Sequence, residues 1–141
     1  MLNVNILCVG DLRPGYIREA AEEYAKRIGA FACLRTIEVA RERDLIPRMP
    51  KKGYRIALCV EGKQMTSEGF AKFVEDLPGR GYSDLTFVIG DSDGMGEDVK
   101  SLCDLRLSFS EMTFPHQLMR VILLEQIYRA FSIINHGKYH K

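Results

Sequence analysis

The sequence predicts an α/β domain with a mainly parallel sheet flanked by helices, and three observations carry that expectation. Apolar, strand-like runs alternate with helix-like stretches along the whole chain, the order expected of strand–helix–strand units. Two of those runs, residues 54–60 (YRIALCV) and 85–89 (LTFVI), are almost uninterrupted by polar residues, as in strands buried on both faces. At 141 residues the chain has the size of one domain with a real core. It shows no repeat, low-complexity tract or linker that would divide residues 1–141.

Residues 2–9 alternate enough, through Val4, Ile6, Leu7 and Val9, to form a first strand, which Gly10 and Pro14 break. A helix is expected from near Pro14 to about Arg27. Tyr16, Ala20, Tyr24 and Arg27 keep helical spacing, Glu22 and Glu23 stand four residues before Lys26 and Arg27, and Gly29 ends the helix. Residues 31–39 read as a second strand. From Arg41 to Arg55 runs a basic loop with Pro47 and Pro50, where Arg41, Arg43, Arg48, Lys51, Lys52 and Arg55 outnumber Glu42 and Asp44. The third strand, 54–60, leads into EGKQMTSEGF, where Thr66 or Ser67 can cap a helix reaching Leu77 with Glu68 in its first turn. Pro78, Gly79 and Gly81 form a loop before the fourth strand, 85–89, which stops at Gly90. GDSDGMG then opens a short helix near 97–103, and residues 105–109 form the last strand.

The last helix, 115–134, begins at Pro115, a residue favoured in a first helical turn because its missing N–H costs nothing there. Ser110, Thr113 and the free amides of that turn therefore lie between a strand's C-terminal end and a helix N-terminus, where ligands bind in open α/β sheets. At 100° per residue, Glu125, Arg129 and Ser132 fall within about 60° of one another and form a solvent stripe. His116 and Arg120 lie on roughly the opposite side, facing a site or an interface, and nearly everything else is apolar. Such a helix needs cover on several sides, and a second copy of the chain is the simplest cover, which predicts a homodimer.

The 46% hydrophobic and 28% charged residues are those of an ordinary soluble protein. No apolar run approaches the roughly 20 residues of a membrane span. MLNVNILCVG lacks a basic n-region and reads as a strand rather than a signal peptide, so a cytoplasmic location is expected. Cys8, Cys33, Cys59 and Cys103 have no metal-like spacing and read as buried free thiols of a reducing compartment, with no metal site. A net charge of +1 argues against a strongly electrostatic nucleic-acid binder; the basic excess is confined to residues 41–55.

Three apolar strands end in loops that could converge: residues 58–62, 90–94 and 109–114. Gly10 stands alone, Gly90, Gly94 and Gly96 have the wrong spacing for a dinucleotide fingerprint, and no P-loop is present. Asp91, Asp93, Glu97 and Asp98 would repel phosphate, and the ligand pattern of a calcium loop is absent. A cofactor held here should be neutral or cationic with hydroxyls and an amine to satisfy, a description that S-adenosylmethionine meets.

FVIGDSDG, LSFSEMTFPHQLMRVILLEQIYRAF and the terminal KYHK resemble the ribosomal RNA large subunit methyltransferase H family, of the SPOUT superfamily of knotted methyltransferases. ILCVG, EYAKR, IEV and EGKQMTSEGFA match as well, so the resemblance covers essentially the whole chain. It implies a homodimer with a C-terminal trefoil knot, although chains as a rule do not thread loops. It also implies methyl transfer from S-adenosylmethionine to N3 of a pseudouridine in a 23S, large-subunit rRNA stem-loop of the assembled ribosome. By motif match the cofactor contacts fall on Leu58, Gly90, Phe109, Ser110, Glu111, Met112, Thr113 and Phe114. The N3 proton must leave, so His140, Tyr139 and Arg120 are the catalytic candidates, with His116 beside them. Lys51, Lys52 and Lys141 are the expected RNA contacts. Where the family carries a second glycine this chain has Asp91, which raises an alternative: a non-catalytic dimeric ribosome- or RNA-binding protein of the same fold with impaired cofactor binding. The chain is also shorter than the family between its second and third strands.

Overall fold

The strands β1 (Leu2–Val9), β2 (Ala32–Val39), β3 (Tyr54–Gln64), β4 (Asp84–Ile89) and β5 (Leu105–Ser108) pair in parallel as a single sheet ordered β2-β1-β4-β3-β5. This is a computed structural model that describes residues 1–13 and 15–141; the expectation placed on Pro14 lies outside the described residues. The helices are α1 (Gly15–Ile28), α2 (Leu45–Arg48), α3 (Ser67–Asp76), α4 (Glu97–Lys100) and α5 (His116–Ile134).

Alternate side chains of the central strands enter two separate cores, which is why those strands read as continuous apolar runs. Val4, Ile6 and Cys8 of β1, with Leu85, Phe87 and Ile89 of β4, pack beneath α1, α3 and α5. Leu7, Val9 and Val88 enter a smaller core closed by Leu45, Met49 and Val99. That second face has thin cover, because α2 and α4 are single turns of four residues each. The short crossing from β2 to β3 noted in the sequence is thus a 3-10 turn at Glu42–Asp44 followed by one helical turn.

Local chemistry accounts for most boundaries. The Thr66 hydroxyl accepts a hydrogen bond from the Gly69 amide at 2.9 Å and caps α3, as the sequence predicts. Glu23 and Arg27 form the expected i,i+4 pair on α1 at 2.8 Å. Pro115 stands one position earlier than expected, as the N-cap of α5 rather than its first residue. Two extents differ from expectation. α4 stops at Lys100, and β3 runs on to Gln64. Between Leu58 and Lys63 the β3–β5 register jumps, so residues 59–62 bulge out before β3 rejoins β5 at Leu107 and Ser108. Gly62 permits that return: a Cβ there would sit 2.7 Å from the Arg106 carbonyl and the Leu107 nitrogen.

The solvent stripe expected on α5 is covered. Ser132 is buried, the Tyr139 hydroxyl donates to Glu125 at 2.8 Å, and Arg129 donates to the His140 Nδ1 at 2.9 Å. The sheet beneath it, α1 and α3 beside it and the C-terminal tail above it cover most of α5 within one chain, while Leu118 in its first turn stays 39% exposed. Among the cysteines, Cys8 is buried, Cys59 and Cys103 are half-buried, and Cys33 is exposed, against the expectation that all four would be sequestered.

Candidate cofactor site

The loops that leave the C-terminal ends of β3, β4 and β5 meet around one cavity of about 570 Å³. Leu58, Gly90, Phe109, Ser110, Met112, Thr113 and Phe114, seven of the eight residues expected to hold a cofactor, line it; Glu111 is exposed and lies outside the lining. Ile89, Leu107 and Met119 complete an apolar floor, while His116 and Met95 close two sides. This is where ligands bind in open α/β sheets, beyond the carboxyl ends of the strands.

Each wall is built by short-range bonding. The buried Ser108 hydroxyl donates to the Ser110 carbonyl at 2.9 Å, and the Ser110 hydroxyl accepts from the Met112 amide at 2.9 Å, which turns the chain toward Pro115. Gly90 is pressed against the far end of its own loop. A Cβ there would lie 3.0 Å from Met95 Cα and 3.1 Å from the Gly94 carbonyl oxygen. Asp91 does not need a glycine's conformation: positive φ falls on Gly94 (+97°), not on Asp91. The Asp91 carboxylate accepts from the Ser92 amide at 2.7 Å.

The charged groups at the cavity are Glu61, Asp91 and Lys100, and His116 lines it beside them. Lys100 is paired with Glu61, and this hydrogen bond holds the Glu61 carboxyl below the usual carboxylate range. With its one lysine so occupied and Asp91 at the rim, the cavity suits a neutral or cationic ligand and not a phosphate. Sequence reasoning missed Lys100, whose partner is 39 residues away, and Glu42, whose carboxylate reaches the loop at 90–96.

The catalytic candidates fall elsewhere. Arg120 is only 3% exposed; its guanidinium donates to Glu38 at 2.5 Å and to the Gly10 carbonyl at 2.7 Å, tying α5 to the ends of β1 and β2. It does not line the cavity. Tyr139 and His140 are docked on Glu125, Tyr24, Arg129 and Glu68. Arg129 lies 13 residues beyond His116, about 20 Å along the helix axis. Arginine only donates, so His140 Nδ1 accepts, and Nε2 faces Glu68 at 3.4 Å. Burial first, then hydrogen bonds with Tyr24 and Glu125, push the Tyr139 hydroxyl well above its ordinary range. Lys51 and Lys52 are exposed at the start of β3, on the opposite end of the sheet, roughly 20 Å from Leu58 by strand length. Exposed Lys141 ends the chain.

The family model described as "Predicted SPOUT methyltransferase" matches residues 2–140. The chain belongs to the SPOUT methyltransferase family. Among its relatives are the proteins named ribosomal RNA large subunit methyltransferase H of Fusobacterium nucleatum, 39% identical over 155 residues, and of Halothermothrix orenii, 41% identical over 159 residues. In both cases the match covers 99% of this chain and all of the relative. The alignments exceed the 141 residues of the chain, so these relatives carry residues that this SPOUT protein lacks. The fold is also that of the SpoU methyltransferase AviRb of Streptomyces viridochromogenes, solved in complex with the cofactor AdoMet. The TM-score is 0.56 at 13% identity, covering 96% of this chain and 59% of that one. The C-terminal trefoil knot is implied by the family, since strand order alone does not trace it.

Among the described residues, no group of three or more His, Cys, Asp or Glu side chains could hold a metal ion. No described helix is long and apolar enough to cross a membrane.

Proposed function

We propose that this SPOUT chain is an S-adenosylmethionine-dependent methyltransferase of large-subunit rRNA, acting on N3 of a pseudouridine in a 23S stem-loop of the assembled ribosome. The observation that carries the reading is the cavity at the ends of β3, β4 and β5, with an apolar floor and an acidic rim that suits a sulfonium. Its residues fit that cofactor: Leu58, Ile89 and Leu107 offer an apolar bed, Gly90 lets its loop fold back tightly against Met95 at the cavity wall, and residues 109–114 present backbone groups and hydroxyls. Bound there, S-adenosylmethionine supplies an activated methyl group. The relatives' names support the substrate class, and an rRNA substrate is in keeping with activity in the cytoplasm.

Methyl transfer of this kind is an in-line displacement, so the chain's main contribution is positioning. His116, at the first turn of α5 and on the cavity wall, is the histidine nearest to hand for the departing N3 proton. Tyr139 stays protonated where it is docked, and both ring nitrogens of His140 are engaged by Arg129 and Glu68. A role for these two residues in the reaction therefore requires the tail to leave its dock. Arg120 acts at a distance, by fixing α5 against Glu38 and Gly10.

A homodimer belongs to the same proposal. Its support is the exposed apolar surface about the cavity mouth and α5, where Val60 is 45%, Met112 75% and Leu118 39% exposed. Lys51, Lys52 and Lys141, remote from the cavity, would hold RNA that lies away from the target base. The test is incubation with ribosomes that lack the modification and methyl-labelled S-adenosylmethionine. Label mapped to a pseudouridine of large-subunit rRNA supports the proposal. A protein that binds ribosomes and transfers no label is instead a non-catalytic binder. Deleting residues 139–141 in the same assay tests the tail, and unchanged labelling would remove it from the mechanism.

A further inference from the structure

We infer that Glu42 is a positioning residue that clamps residues 90–96 into the shape that receives the cofactor; this rests on the cofactor reading above. Glu42 is the first residue of the 3-10 turn after β2, half-buried, and its two carboxylate oxygens go to two different places. Oε1 accepts from the Asp91 amide at 3.4 Å and Oε2 from the Gly96 amide at 3.1 Å. These two amides bracket the loop whose Gly90, Asp91, Ser92, Gly94 and Met95 line the cavity.

The loop has little else to hold it. Its internal bonds are a turn from the Gly94 amide to the Asp91 carbonyl at 2.9 Å and the Asp91–Ser92 side-chain contact. Ser92, Asp93 and Gly94 are exposed, so no apolar anchor fixes the tip, and the loop's one apolar contact with the core is the half-buried Met95 near its far end. Gly96, the N-cap of α4, makes no side-chain cap hydrogen bond, and the Glu42 carboxylate accepts from its amide as the acid of a capping box would. The carboxylate keeps this position in a segment that already carries Asp91, Asp93, Glu97 and Asp98. Two hydrogen bonds, the shorter at the Gly96 end, hold it there, one at each end of the loop. If the clamp keeps the loop competent, its loss lowers the competent fraction, and the apparent dissociation constant rises by the same factor.

The test follows amide hydrogen exchange in the ligand-free protein and calorimetric titration with S-adenosylmethionine, comparing wild type with Glu42→Ala and Glu42→Gln. In Glu42→Ala the Asp91 and Gly96 amides should exchange about tenfold faster or more, and the dissociation constant should rise by the factor by which the competent fraction falls. Glu42→Gln keeps one acceptor oxygen and should recover part of both effects, which a general loss of folding would not produce. Unchanged exchange at both amides, or unchanged affinity in Glu42→Ala, overturns the inference. Faster exchange in Glu42→Ala from a wild type that does not bind S-adenosylmethionine keeps the clamp and overturns the cofactor reading instead.

Discussion

Replacing Glu38 should cost the fold more than replacing Arg120, although Glu38 is the more exposed of the two. The Arg120 side chain is 4% exposed and that of Glu38 43%. With Arg120→Met, the Glu38 carboxylate can be rehydrated at the surface, and the methionine fills much of the vacated stem. What is lost is a charge-assisted bond and the partner of the Gly10 carbonyl, together about 2–3 kcal/mol. With Glu38→Ala, the guanidinium stays buried with only a neutral carbonyl to face, and an uncompensated buried charge costs roughly 3–5 kcal/mol. The double variant should lie close to Arg120→Met alone, because removing the arginine removes the penalty. Urea unfolding of the four proteins, with constant slopes, gives the comparison. A smaller loss for Glu38→Ala than for Arg120→Met, or additive losses in the double variant, would refute the reasoning.

Other outcomes follow from the same structure. Gly62→Ala, whose Cβ would press on the backbone of Arg106 and Leu107, should cost about 1–3 kcal/mol and weaken cofactor binding by parting β3 from β5 beside the cavity; unfolding and titration check both. Burial raises the Cys8 thiol from 9.0 to about 11, so its neutral form belongs to the fold; the associated stability is present below pH 9 and is lost as pH rises toward 11. The expected loss from this group is roughly 2–3 kcal/mol, and Cys8→Val should flatten the pH dependence of the urea midpoint across that window. Cys103, also raised to about 11 by burial, should leave a residual slope. Replacing Lys51 and Lys52 with glutamate should weaken ribosome binding and leave cofactor affinity unchanged, since they lie at the other end of the sheet; equal losses would mean that the change acts through folding.

Much of the fold was legible because it rests on local signals. YRIALCV and LTFVI announce strands buried on both faces, Thr66 announces a cap, and the loops after three apolar strands announce the cavity. What stayed hidden depends on partners far apart in sequence. The bulge at residues 59–62 exists because β3 rejoins β5, which nothing within EGKQ declares. Lys100 reaches the cavity through Glu61, and Glu42 reaches residues 91 and 96, across separations that no periodicity encodes. The angular reading of α5 placed Glu125, Arg129 and Ser132 together correctly but assigned them to solvent, because the returning tail with Tyr139 and His140 cannot be seen in helix periodicity. Arg120 shows the same limit: its place opposite the stripe was readable, whereas its burial against Glu38, 82 residues earlier, was not.

The most direct test of the central claim, that the cavity at the ends of β3, β4 and β5 is a working cofactor site, is calorimetric titration of the wild-type protein with S-adenosylmethionine. The structure predicts one site per chain, filled at millimolar ligand or below, with Asp91 in place without harm because its backbone needs no glycine. Absence of binding at millimolar ligand would contradict it.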